Sequence, residues 1–283
     1  METINSLGML SFRSNIETYQ YNDKYIVLYD DHRCLLNILF EALKIGIFEK
    51  NPNLIYFDAH DDACNPKINK KDLLKKWQAK DIKNISSRDF WSFVEFDLSH
   101  LDDDWLLAGM ELGLINNSVL IGQYDNIYDM KSKFKFKSSD GHIHELHSIE
   151  HLNQCLDSKG CLGDVVKTEN YKNIRNVFEY NQYPYLGRFA DGIKNQFVLD
   201  FDLDCFTTEC NGMLYAWPEE IFKKMYYDND IVSYFMDRLI SRSQFITICR
   251  EPKCCGGIGE SNKILGYLDK YFFNRSLGTE PIR

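Results

Sequence analysis

The order of apolar segments in this 283-residue chain predicts an α/β fold: a three-layer α/β/α domain with a mainly parallel sheet. Three observations carry the expectation. Short unbroken apolar runs recur along the chain, as in strands buried on both faces. Amphipathic helical patterns lie between them. No internal repeat and no Pro/Gly/Ser-rich linker divides the sequence, so positions 1–283 read as a single domain.

The first run, YIVLY (Tyr25 to Tyr29), leads into Asp30-Asp31-His32. RCLLNILFEALKIG (Arg33 to Gly46) then sets Leu35, Ile38, Leu39 and Leu43 on one helical face and stops at a glycine. NLIYF (Asn53 to Phe57) is the second strand. WLLAGMELGLI (Trp105 to Ile115) reads as a helix behind the acidic run Asp102 to Asp104, where Asp103 and Asp104 are expected as caps. SVLIG (Ser118 to Gly122), QFVLDF (Gln196 to Phe201) and QFITIC (Gln244 to Cys249) complete the strands. PEEIFKKMYYD and DIVSYFMDRLISR give two amphipathic helices after Asp204. The stretch 125–195 is polar and tyrosine-rich. It reads as a variable insertion that shapes substrate access, and its KSKFKFKSSDG suggests a surface strand or hairpin.

Bulk properties narrow the function. A net charge of -9 disfavours nucleic acid as a partner, because an acidic chain gains nothing from counterion release. No stretch approaches the roughly 18 apolar residues that span a bilayer. The first residues lack the basic start and apolar core of a signal peptide, and the nine dispersed cysteines suit reduced thiols. The expectation is a cytoplasmic protein without a membrane role.

Chemistry concentrates where strands end. YIVLY runs into His32, NLIYF into Asp58-Ala59-His60-Asp61-Asp62, and QFVL into Asp200-Phe201-Asp202-Leu203-Asp204. In open α/β sheets ligands bind beyond the carboxyl ends of strands. Residues at i and i+2 of an extended segment project to one side, which pairs Asp58 with His60 and Asp202 with Asp204. One D-x-H or D-x-D alone is more often a cap or a turn. Three such clusters, each behind a buried strand, call for cations to hold their carboxylates together. Four aspartates and two imidazoles make a mostly hard ligand set, favouring Mn²⁺.

Asp31-His32, Asp58-Ala59-His60-Asp61-Asp62 and Asp202-Leu203-Asp204 resemble, in order, the three metal-binding motifs of the arginase/agmatinase (ureohydrolase) superfamily. The flanks NLIYFDAHDDA, DDDWLLAGMELGLI, FVLDFDLDCF and ITICREPKCCGG are similar to a divergent branch that includes the peptide arginases. Those enzymes convert arginine side chains of a precursor peptide to ornithine. The resemblance implies two Mn²⁺ ions, or other divalent ions: one on His32, Asp58, Asp62 and Asp202, the other on His60, Asp58, Asp202 and Asp204, with Asp58 and Asp202 bridging. It also implies that Asp62 relays the proton of the attacking hydroxide. A guanidinium needs a carboxylate clamp, and Glu251, which follows QFITIC, is the candidate; the alternative is a glutamate paired with Arg250 or exposed before Pro252. Ala63-Cys64-Asn65-Pro66 departs from the free-arginine signature, which favours an arginine-containing peptide as partner. A small-molecule ureohydrolase, a deacetylase-type amidohydrolase and a non-catalytic, metal-stabilised peptide binder stay open. The oligomeric state is not specified.

Two further segments draw attention. GHIHELHSIEH holds His142, His144, His147 and His151. The last three have helical spacing, and a solvated, partly amphipathic segment is expected, with proton shuttling as the alternative. Asp104 could line the substrate pocket. Gly256-Gly257-Ile258-Gly259 is too loosely spaced for a phosphate loop and is expected as a flexible wall beside Glu251.

Overall fold

The computed structural model describes residues 16–48, 51–99, 101, 103–122, 134–149, 197–228 and 230–278. Each apolar run becomes a strand, within a residue or two of its expected limits. The strands are β1 (Glu17–Tyr21), β2 (Lys24–Tyr29), β3 (Asn53–Phe57), β4 (Ser118–Ile121), β5 (Phe134–Lys137), β6 (Ile143–Ile149), β7 (Phe197–Asp202), β8 (Thr207–Cys210), β9 (Met213–Ala216) and β10 (Phe245–Cys249). The helices are α1 (Cys34–Lys44), α2 (Lys70–Lys76), α3 (Ser87–Phe96), α4 (Trp105–Leu112), α5 (Glu219–Phe222), α6 (Asp230–Arg242) and α7 (Ile258–Tyr271).

Eight strands form one sheet in the order β1-β2-β10-β7-β3-β4-β6-β5, and β8 with β9 makes a separate two-stranded sheet. From β2 to β6 all neighbours are parallel, while β1 and β5 close the edges antiparallel. Alternate residues of each central strand enter different layers, as a period of two requires. Ile55, Phe57, Leu199, Phe201, Ile246 and Ile248 pack with α5, α6 and α7. Leu54, Tyr56, Val198, Phe245 and Cys249 pack with α1, α2, α3 and α4. The result is a sheet between two helical layers, which explains why the strands read as unbroken apolar runs.

The register aligns the chemistry. Phe57, Phe201, Ile248 and Leu28 are paired across four adjacent strands. The chain leaves β3, β7, β10 and β2 within a residue beyond that row, so Asp58, Asp202, Glu251 and His32 gather at the carboxyl ends of these strands.

Several expectations are corrected. The segment with His144 is not helical; it is β6, and β5 and β6 form the hairpin expected from KSKFKFKSSDG. His144 is buried, its Nδ1 against the Asn116 carbonyl, because β6 lies between β4 and β5. His151, and the rest of 125–195 apart from 134–149, lie outside the described residues. PEEIFKKMYYD is not one regular helix, since α5 widens into a π-turn over Lys223–Tyr227. The Trp105 helix ends at Leu112 rather than Ile115, because Gly113 adopts a left-handed conformation (φ 75°). Asp104 stands at the start of α4, but its carboxylate accepts from the Ser99 amide rather than capping the helix. Gly256 to Gly259 is not a loose wall: Gly257 opens α7, and Gly256 (φ 85°) lies so close to the Leu214 carbonyl that a Cβ would fall 2.0 Å from its oxygen. No described helix is long and apolar enough to cross a membrane.

Candidate metal centre

At the carboxyl end of β2, neighbouring charges are taken up locally. Asp30 and Glu17 hold the Arg250 guanidinium, at 2.5 and 3.0 Å, and Asp31 holds Arg33 at 2.6 Å. His32 alone turns inward, buried to 1% exposure. Its Nε2 lies 2.9 Å from Asp200 Oδ2. A buried carboxylate accepts, so Nε2 carries the hydrogen and donates, leaving the Nδ1 lone pair for the site.

That Nδ1 faces three carboxylate oxygens: Asp202 Oδ2 at 2.9 Å, Asp62 Oδ2 at 3.0 Å and Asp58 Oδ2 at 3.3 Å. Adjacent ligands on one ion with bonds of about 2.1 Å lie about 3 Å apart. The spacing therefore fits a cation among these four atoms. Asp58 turns its other oxygen outward, with Oδ1 3.7 Å from His60 Nδ1, and Asp204 Oδ2 is 2.9 Å from the same nitrogen. Asp58 thus spans two ligand groups, His32-Asp58-Asp62 and Asp58-His60-Asp204. The first is enclosed, whereas the His60 side chain is 47% exposed and opens the second toward solvent.

Backbone amides fix the carboxylates. His60 N–H donates to Asp58 Oδ1, Ala59 N–H to Asp204 Oδ1, and Asp204 N–H to Asp202 Oδ1. The Trp105 indole donates to Asp62 Oδ2 and stacks obliquely on His32, with centroids 4.5 Å apart. Asp62 has a positive φ of 50°, and its carbonyl accepts from Leu106 N–H, which seats α4 against the loop. Glu251 is also left-handed, at φ 30°. Strained backbone at two points of one cluster accords with a functional site.

The electrostatics favour either bound protons or positive charge among these carboxylates. Burial, then Asp62, Asp202 and Asp204, raises the Asp58 carboxyl well above the usual range. Burial and Asp204 lift Asp202 to about 6. Burial, followed by Asp202 and Asp204, pushes Glu251 well up as well. Burial alone would keep His32 neutral, but Asp202 together with hydrogen bonds to Asp200, Asp202 and Asp62 draws it well above an ordinary histidine. The close approach of Asp204, 2.9 Å from its Nδ1, carries His60 to about 9. Asp58 Oδ2 and Asp204 Oδ2 are buried without hydrogen-bond partners. Orphaned oxygens beside raised carboxyls are what a cation would correct, and the residues fit divalent ions.

All six expected ligands converge, with Glu251 at the cluster's edge. Arg250 reaches Asp30 and Glu17, and Glu251 is buried at 9% exposure. Asp104 lines a neighbouring cavity of about 670 Å³ with Cys64, Asn65 and Asp103, and none of the six ligands lines that cavity. Sequence reasoning overlooked Asp200. Fully buried, it accepts from Tyr29 and Thr247 through one oxygen and from His32 through the other. The spacing of Asp200 and Asp202 within β7 was its signal, since alternate residues of a strand face one side, while Asp204 lies in the 3-10 turn that follows. Cys254 was also overlooked; it lies with Asp204 and Glu251 in a third group of close ligand atoms.

No family model matches this chain, and no curated protein matches it.

Proposed function

We propose that this protein is a dinuclear, manganese-dependent hydrolase that cleaves the guanidinium of arginine residues in a peptide, giving ornithine and urea. The observation that carries the reading is Asp58, with one oxygen toward the His32 group and the other toward the His60 group. A single structural ion needs no such spanning carboxylate.

When bound, divalent ions supply a water acidic enough to serve as nucleophile near neutral pH. The chain's residues do the rest. Asp200 holds the His32 ring in the orientation that points Nδ1 inward. Asp62, steadied by the Trp105 indole, takes the proton released by the attacking water. Glu251 accepts the guanidinium N–H groups and sets the central carbon in line for attack. The sheet and α4 keep the inner side dry, so charge interactions there are strong. The half-exposed His60 side leaves an open approach, which suits a side chain presented by a peptide better than an enclosed free amino acid.

The test is incubation with arginine-containing peptides and Mn²⁺, followed by mass spectrometry. The expected result is a loss of about 42 Da per converted arginine with stoichiometric urea. Urea from free arginine with unchanged peptides would replace this reading with a small-molecule ureohydrolase.

A further inference from the structure

The loop after β10 brings a thiol to the centre. Glu251 takes its left-handed turn, and the amides of Cys254 and Cys255 both donate to its carbonyl, at 3.0 and 3.1 Å. This is one helix-like turn, and residues three apart in such a turn share a face. Glu251 and Cys254 therefore look the same way, toward Asp204. A carboxylate oxygen of Asp204, one of Glu251 and Cys254 Sγ all lie within 4.8 Å of one another. Cys255 points elsewhere: it is buried, and its thiol donates to the Arg250 carbonyl at 3.3 Å. The turn is held at its far end by the close approach of Gly256 to Leu214 and by the Gly257 amide on the Pro252 carbonyl, at 2.7 Å.

A second observation points to a ligand. Asp204 is 2% exposed, and its Oδ2 has no hydrogen-bond partner; it faces His60 Nδ1 at 2.9 Å. Bonds of about 2.3 Å to sulfur and about 2.1 Å to oxygen allow two ligands of one ion to stand up to about 4.4 Å apart. An ion resting on Asp204 thus has Cys254 Sγ within or just beyond direct reach.

We propose that Cys254 supplies a thiolate to the cation held by Asp204, making the second position of the centre softer than the first. The inference rests on the metal-centre reading above. On binding, the S–H bond breaks, a sulfur–metal bond forms and the proton leaves to solvent. The first position, with His32 and three carboxylates, is all nitrogen and oxygen. The two positions then differ in the ions they prefer, because thiolate favours Zn²⁺ or Co²⁺ over Mn²⁺.

The experiment loads the full chain with Co²⁺ alone and measures cobalt per chain together with the near-ultraviolet thiolate-to-cobalt charge-transfer band. The wild type is expected to show the band, Cys254→Ser to lose it while still binding cobalt, and Cys64→Ser to keep it. Cobalt bound without a band, or a band surviving in Cys254→Ser, overturns the role of Cys254 and leaves the metal centre standing. No cobalt bound overturns both. If Cys254→Ser does not fold, iodoacetamide on the wild type decides: Co²⁺ is expected to slow alkylation of Cys254 about tenfold, because a ligated thiolate is a poor nucleophile, and equal rates overturn the proposal.

Discussion

Two regions of this protein hold histidines beside acidic or amide groups, and they differ in what the ring nitrogens meet. In the β5–β6 hairpin, His142 and His144 stack edge to face, and the His144 Nδ1 contacts the Asn116 carbonyl. Burial lowers the pKa of His144, as in a neutral structural imidazole. At the ends of β2 and β3, His32 and His60 meet Asp58, Asp62, Asp202 and Asp204, and both are held above the usual histidine range. The hairpin segment is richer in histidine, yet the sparser region forms the ligand cluster. Position in the sheet decides: His144 of β6 meets the Asn116 carbonyl in a neighbouring loop, whereas four adjacent parallel strands pour their carboxyl ends into one crevice.

The largest expected break in this contrast comes from Asp58→Ala. It removes the carboxylate shared by both groups, so activity should fall to background and neither ion should be retained, as read by urea release and metal content. Asp200→Asn comes next. It leaves the six ligands in place but weakens the acceptor that orients His32, and metal affinity should fall about 10–100-fold in a calorimetric titration. Glu251→Ala should lower kcat/KM by about 10–100-fold through loss of a charge-assisted contact, with metal content unchanged; full activity would remove the clamp role. Chelation sharpens the contrast through stability. Restoring Mn²⁺ at 100 times its dissociation constant should add about 2.7 kcal/mol per bound ion by linkage, visible as a higher melting temperature. The smallest effect is expected at the other pole: His144→Ala should cost about 1–3 kcal/mol of stability as a buried polar truncation and leave metal content and activity per folded chain unchanged.

The sequence made the central sheet legible because β2, β3, β4, β7 and β10 are buried on both faces and show uninterrupted apolar runs. Edge strand β1 was not legible: ETYQY pairs on one side only and mixes polar with aromatic residues. The β8–β9 hairpin, with half its side chains exposed, gave no strand signal for the same reason. Helix α7 was hidden behind Gly256-Gly257, and only the tertiary structure reveals the packing of Gly256 on Leu214. In the candidate site, the six ligands were legible because they gather at the carboxyl ends of β2, β3 and β7, with Asp58, His60 and Asp62, and Asp202 and Asp204, two residues apart. Asp200 was not, because it lies inside β7 and its partners Tyr29 and Thr247 come from neighbouring strands. Trp105 and Cys254 were missed because their roles depend on how α4 and the loop after β10 fold back over the strand ends.

The central claim is that Asp58 joins two cation positions, and counting ions tests it most directly. Inductively coupled plasma mass spectrometry of the desalted wild type and of Asp58→Ala, each loaded with Mn²⁺ and Co²⁺ together, should give two divalent ions per wild-type chain and none per variant chain. One ion or none in the wild type, or two retained by Asp58→Ala, would contradict the account.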